Sequence, residues 1–254
     1  MIRLSKCNLT QAERDAVQRV LENDFLGTGP ETQAFEQEIS EYIGGDVTTV
    51  CVNTGTSALQ VAVQACGIGT GDEVLVPSLT FVASFQAIPA TGATAIPCDV
   101  SLENALLDLD DAAQRITEHT KAIMPVHYAS ECGDLDAVYQ FAKQHNLRVI
   151  EDAAQAFGCS HNGKKIGSFG DVACFSFDGI KNITSGEGGA VVTKDQDVVS
   201  RVKDARLLGV EKDTEKRYAG ERSWEFDVKE QGWRYHLSDV FAAMGRVQLS
   251  RLDS

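Results

Sequence analysis

The strand-like run Val172–Phe177 leads into Asp178-Gly179-Ile180-Lys181-Asn182, and a glycine-rich segment, Gly186-Glu187-Gly188-Gly189, follows it. A second apolar run, Arg148-Val149-Ile150-Glu151, delivers Asp152-Ala153-Ala154-Gln155 at its carboxyl end. A lysine just past one strand and an aspartate just past another are the two groups that pyridoxal phosphate (PLP) chemistry requires. The amine can form a Schiff base with the cofactor, and the carboxylate can keep the pyridine nitrogen protonated so that the ring accepts electrons. Taken singly, Lys181 reads better as a solvated surface residue and Asp152 as a helix cap. Their neighbours must decide.

Three further stretches lie just beyond apolar runs. Asn53-Thr54-Gly55-Thr56-Ser57 opens an apolar helix, where free amides and the helix dipole favour a phosphate. Gly55 would let the backbone approach closely, and Thr56 and Ser57 add hydroxyls, although the same residues also make an ordinary N-cap. Phe81, in Pro77-Ser78-Leu79-Thr80-Phe81, could stack on a flat ring or simply occupy the core. Gly186–Gly189 is not a dinucleotide fingerprint and precedes a strand, so a tight turn with positive φ angles is expected. His127 ends another strand, but no His, Asp or Glu cluster with metal-ligand spacing accompanies it. No GxSxG elbow is present. The phosphate-type turn, the aromatic, the aspartate and the lysine follow one another in the chain. Carboxyl ends of strands form the ligand crevice of open α/β sheets, so all four would face one cavity.

The elements that must position them alternate. Strands are predicted at 48–52, 73–76, 94–97, 121–126, 148–151, 172–177 and 189–193. Helices are predicted at 10–23, 31–43, 57–66, 80–91, 134–145, 197–208 and 238–252. Near-continuous apolar strands between helices indicate an α/β fold with a mainly parallel seven-stranded sheet flanked by helices. The polar stretch from Glu211 to Gln231 reads as one long loop. In the last helix Leu237, Phe241, Met244, Val247 or Gln248, and Leu252 form an apolar face, which needs either the sheet or a further segment as partner.

Composition bounds the rest. The chain has 254 residues, 43% of them hydrophobic and 24% charged, which is ordinary for a soluble globular protein. A net charge of −14 argues against nucleic acid and anionic membranes as partners. Seven scattered cysteines without a CxxC pair suit a reducing cytoplasm better than a disulfide framework. The amino terminus has no apolar signal region, and no run reaches the length of a membrane span.

The chain resembles the DegT/DnrJ/EryC1/StrS sugar aminotransferases, within the fold-type I, aspartate aminotransferase-like PLP enzymes. The matching stretches are Phe25–Pro30 with Phe35-Glu36, NTGTSAL at 53–59, VPSLTFVAS at 76–84, EDAAQAFG at 151–158, CFSFDGIKNITSGEGGA at 174–190 and GWRYHLSDVFAAMGRVQL at 232–249. The resemblance implies that Lys181 carries PLP and then shuttles a proton, and that Asp152 pairs with the ring nitrogen. It places Gln155 at the ring hydroxyl, Phe81 on the ring face, and Thr56, the backbone at Gly55 and Ser176 on the phosphate. Family sites are shared across a homodimer, and Arg234, where asparagine is common, would grip the neighbour's phosphate. Asp178-Gly179 replaces the commoner His-Pro before the lysine. The substrates implied are a nucleotide-linked keto-deoxysugar and glutamate as amino donor. Residues 1–30 would be an arm and helix belonging to the small domain, and residues 31–254 the PLP-binding large domain. The carboxyl-terminal part of the small domain would be absent. A PLP-dependent dehydratase is disfavoured because that branch replaces the lysine with histidine. An incomplete, inactive PLP-fold fragment is the rival from another class.

Overall fold

The computed structural model describes residues 6–211, 219 and 226–253. Its strands are β1 (Thr48–Val52), β2 (Glu73–Pro77), β3 (Thr94–Cys98), β4 (Thr120–Ile123), β5 (Arg148–Asp152), β6 (Ser160–His161), β7 (Lys164–Lys165), β8 (Val172–Ser176) and β9 (Gly189–Thr193). Seven of them form one sheet in the order β1-β9-β8-β5-β4-β2-β3, while β6 and β7 make a separate hairpin. Neighbours from β8 through β5, β4 and β2 to β3 run parallel. Only β9 runs against its neighbours β8 and β1. The mainly parallel seven-stranded sheet expected from the sequence is therefore present.

Eight helices are described: α1 (Gln11–Glu22), α2 (Pro30–Ile43), α3 (Gly55–Ala65), α4 (Val82–Ala87), α5 (Leu109–Gln114), α6 (Leu135–His145), α7 (Gln196–Ala205) and α8 (Asp239–Ser250). Alternation along each strand divides the core into two layers. Ile123, Val149 and Phe175 face Phe35 and Ile39 of α2 and Leu135 and Phe141 of α6. Val74, Ile150 and Val172 face Leu59 and Val63 of α3 and Val202 of α7. Both faces are covered, as parallel sheets require. Among the described residues, no helix is long and apolar enough to cross a membrane.

Several expectations shift. The strand predicted at 121–126 ends at Ile123 and persists only as a single bridge from Val126 to Asp152. Pro125 has no amide to donate there, although its carbonyl accepts from the Asp152 amide at 2.8 Å. The helix predicted at 80–91 stops at Ala87 and gives way to a 3-10 turn at Pro89–Thr91. Helix α5 was not anticipated, being six residues long and opened by Asp108, which accepts from the amides of Asp110 and Asp111. Of the polar stretch between Glu211 and Gln231, residues 212–218 and 220–225 lie outside the described residues.

The last helix differs most from expectation. Its buried face is Ala242, Ala243, Gly245, Gln248 and Leu249, whereas Phe241 is exposed. It packs between α1 and α2. A Cβ on Gly245 would sit 2.5 Å from the Phe35 ring, so small residues set this close approach. Asp239 caps α2 from a distance, accepting from the Gly29 and Thr32 amides at 2.8 and 3.0 Å. Helix α1 is tied to α8 through Glu13, which closes a capping box with Thr10 and accepts from Gln248 Nε2 at 2.5 Å.

Burial opposes ionisation of Glu13, but hydrogen bonds from the Thr10 hydroxyl and amide and from Gln248 outweigh it and pull the carboxyl down to about 2. A depressed carboxyl stabilises the fold above its ordinary value of 4.5 and loses that contribution as pH falls through about 2. Glu13→Ala should therefore lower stability by roughly 1–2 kcal/mol at neutral pH, the range for a lost cap. In chemical denaturation at a series of pH values, the gap to the wild type should close as the pH approaches 2.

Candidate active site

The parallel strands end together along one edge of the sheet, and a cavity of ≈ 480 Å³ opens there. That volume lies within the range for small-molecule and cofactor pockets. Its lining includes Thr56 and Gly55, Phe81, Asp152, Gln155, Ser176 and Lys181, brought from four separate stretches of the chain.

Asp152 is the last residue of β5 and is 5% exposed. Ser84 of α4 donates its hydroxyl to Asp152 Oδ2 at 2.6 Å, and the Ala154 amide donates to Oδ1 at 3.2 Å. Burial pushes the Asp152 carboxyl up, while these two hydrogen bonds and the neighbouring His127 and Lys181 pull against it, and the net direction is upward. A carboxylate held in this way is short of partners and suits a cationic N–H of a ligand.

Lys181 lies in the connection from β8 to β9. Because β9 runs antiparallel to β8, with Ser176 opposite Gly189, this connection stays at the cavity edge. Its base is fixed by the Ser185 amide donating to the Phe177 carbonyl at 2.9 Å, and by the Phe177 amide donating to Gly188 at 2.8 Å. Ile183, Thr184 and Ser185 are buried beneath it, and Lys181 remains at the cavity wall. The turn departs from the sequence reading in one respect. Gly186 has φ +89°, but Gly188 and Gly189 do not lie in the left-handed region.

The phosphate-type turn sits at the amino terminus of α3, capped by Thr54, whose side chain accepts from the Ser57 amide at 3.0 Å. A Cβ on Gly55 would fall 2.7 Å from Ser176 Cβ, so glycine allows the turn to press against the end of β8. This contact makes one cradle of the α3 terminus, its amides and the Ser176 hydroxyl, a donor set suited to a phosphate.

The predicted residues do not all arrive together. Ser57 is turned inward, its hydroxyl donating to Asn53 Oδ1 at 2.7 Å, and it does not line the cavity. Arg234 is exposed and lies away from this cavity; its backbone bridges to Leu207. Phe81 is 72% exposed at the cavity mouth, which removes the core reading. Sequence reasoning missed Ser84, although its spacing of four from Thr80 was visible. The two hydroxyls lie 2.7 Å apart. It also considered His127 only as a metal ligand. Among the described residues no group of three His, Cys, Asp or Glu is placed to hold a metal.

A mainly parallel sheet with a lysine, a buried aspartate, an exposed aromatic and a helix amino terminus at its carboxyl edge matches the fold-type I class of PLP enzymes. Residues 8–254 match the DegT/DnrJ/EryC1/StrS aminotransferase family, and the chain belongs to it. The spore coat polysaccharide biosynthesis protein SpsC of Bacillus subtilis is 37% identical over 241 residues, which cover 95% of this chain and 62% of SpsC. The crystal structure of DesV from S. venezuelae superposes with a TM-score of 0.86 at 38% identity, covering 95% of this chain and 62% of DesV. Helicobacter pylori PseC, an aminotransferase of pseudoaminic acid biosynthesis, superposes with a TM-score of 0.89 at 28% identity, covering 99% of this chain and 66% of PseC. The chain thus spans less than two thirds of the length of SpsC and DesV. The cofactor of the family is PLP, and the cavity's donor set fits it.

The Asp152 carboxyl, raised by burial, contributes to stability when protonated and loses that contribution as pH rises through its folded-state value, above the ordinary 3.8. At neutral pH the charge therefore costs the cofactor-free fold something. Asp152→Asn should leave the thermal midpoint of the cofactor-free chain unchanged or higher, measured by calorimetry. It should weaken PLP binding roughly 10- to 100-fold, the value of a charge-assisted hydrogen bond.

Proposed function

We propose that this chain is the cofactor-binding part of an aminotransferase that moves an amino group from glutamate to the keto carbon of a nucleotide-linked deoxysugar. The observation that carries this reading is the single cavity in which Lys181 and Asp152, distant in sequence, meet a phosphate cradle and an exposed aromatic ring. Family membership supports the reaction class. The names of SpsC and PseC, which place those proteins in polysaccharide and pseudoaminic acid biosynthesis, support the choice of a sugar.

Bound PLP supplies the electron sink that makes a carbon–hydrogen bond next to nitrogen acidic. The rest is the protein's part. Lys181 Nζ would hold the cofactor and, as a free amine at the cavity wall, would be placed to take up and return a proton. Asp152 accepts the ring N–H and keeps its positive charge in place. Gln155 Oε1 takes the Ala129 amide at 2.8 Å, which leaves the Nε2 hydrogens to face the ring oxygen. Phe81 covers one ring face. The α3 terminus at Gly55 and Thr56, with Ser176, holds the phosphate so that the reacting carbon keeps its place during proton transfer. Tyr128, Ile180 and Glu187 at the mouth meet the substrate. The exposed Arg234 serves the phosphate of a neighbouring copy in a homodimer, a contact its guanidinium fork suits.

Adding PLP to the purified chain should produce a visible absorbance band, and glutamate should bleach it with release of 2-oxoglutarate. Lys181→Ala should bind PLP without that band. A wild-type chain that stays colourless with excess PLP would overturn the reading.

A further inference from the structure

Behind Asp152 the structure buries a second carboxylate. Glu151, its chain neighbour, is 0% exposed and points to the opposite face of the sheet. An isolated charge there would be strongly unfavourable, and a well-packed apolar residue would serve stability better. Glu151 is instead fully engaged. The Tyr139 hydroxyl of α6 donates to Oε1 at 2.5 Å, and His127 Nε2 lies 2.8 Å from Oε2. The Tyr139 oxygen itself accepts from the Asp171 amide at 3.1 Å, so its proton is committed to Glu151. A carboxylate oxygen accepts, so the 2.8 Å contact puts a proton on His127 Nε2.

His127 is held a second way. Its amide donates to the Asp152 carbonyl at 3.0 Å, and the Asp152 amide donates to the Pro125 carbonyl at 2.8 Å. His127, 2% exposed, is therefore among the residues lining the cavity, while its ring is bonded to Glu151. The titratable groups near this cluster are Glu151 and Asp152 on β5, Tyr139 on α6 with the Asp171 carboxyl beyond it, Cys132, Cys174 on β8 and Lys181 in the β8–β9 connection. His127, hydrogen-bonded to Glu151, is also one of the groups whose charge favours the ionised form of the Asp152 carboxyl.

We propose that His127 and Glu151 are positioning residues that act through Asp152. Glu151 orients the His127 ring with its proton on Nε2, and His127 offsets the Glu151 charge so that Asp152 stays ionised for the ring nitrogen of the cofactor. The inference rests on the PLP reading of the cavity. Deleting the imidazole while leaving Glu151 would then weaken the hold on the ring proton more than deleting both.

The test is the visible band of the PLP-loaded chain, titrated with pH. Positive charge on the ring nitrogen disfavours a second positive charge on the nitrogen that joins Lys181 to the cofactor. A weaker Asp152 therefore raises the pH at which the band changes. His127→Asn should move this midpoint up by about one unit, the scale of the loss of Glu151's hydrogen-bonded partner. Adding Glu151→Gln to that variant should bring the midpoint back toward wild type. Glu151→Gln alone should move it down, and this single variant decides the matter if His127→Asn does not fold by circular dichroism. An unshifted His127→Asn, a double variant displaced as far as the single one, or an unmoved Glu151→Gln would overturn the proposal. A colourless wild type would instead refute the PLP reading beneath it.

Discussion

A negative charge at Asp152 must be kept inside the protein, at the end of a strand that is buried on both faces. Water would satisfy that carboxylate, but water would also screen it from the ring nitrogen it is proposed to hold. The fold supplies a compromise. One hydroxyl, one amide and two basic side chains nearby replace part of the lost hydration, and the balance still leaves the carboxyl raised. A group left under-satisfied in this way is stabilised most by the ligand that completes it. That is the usual exchange of stability for function at a binding site.

The sheet topology follows from the need to gather chemistry at one edge. Parallel strands place all their carboxyl ends on the same side, so the turn after β1 and the ends of β5 and β8 meet without long excursions. The antiparallel β9 solves a different problem. A crossover helix after β8 would carry the chain away over a face of the sheet, whereas a direct return keeps Lys181 at the cavity. The contact of Gly55 with Ser176 then fixes the distance between the phosphate cradle and the strand from which the lysine connection departs.

Much of this was legible in the sequence because buried parallel strands are written as short apolar runs between turn residues. All seven strands of the main sheet were anticipated, and Lys181, Asp152, Phe81, Gln155, Thr56, Gly55 and Ser176 do converge on one cavity. Ser57 misled because a hydroxyl at a helix start can face a ligand or close its own cap, and composition cannot distinguish the two. The face of α8 was misread because large apolar residues were counted as the buried ones. Ala242, Ala243 and Gly245 are buried although small: Ala243 packs on Ala16 and Val20 of α1, and at Gly245 Phe35 of α2 leaves no room for a side chain. Helix α5 and the β6–β7 hairpin are too short to show a period at all. The Glu151–His127 pair could not be read from spacing, because it joins β5 to the connection after β4, 24 residues away.

The central claim is that one particular amine, Lys181 Nζ, forms the covalent bond to PLP in this cavity. Borohydride reduction of the PLP-treated chain converts such a bond to a stable amine, and peptide mass mapping then locates it. A single pyridoxyl-phosphate addition is expected on the peptide carrying Lys181, lost in the Lys181→Ala variant. Addition spread over surface lysines, or confined to a different one, would contradict it.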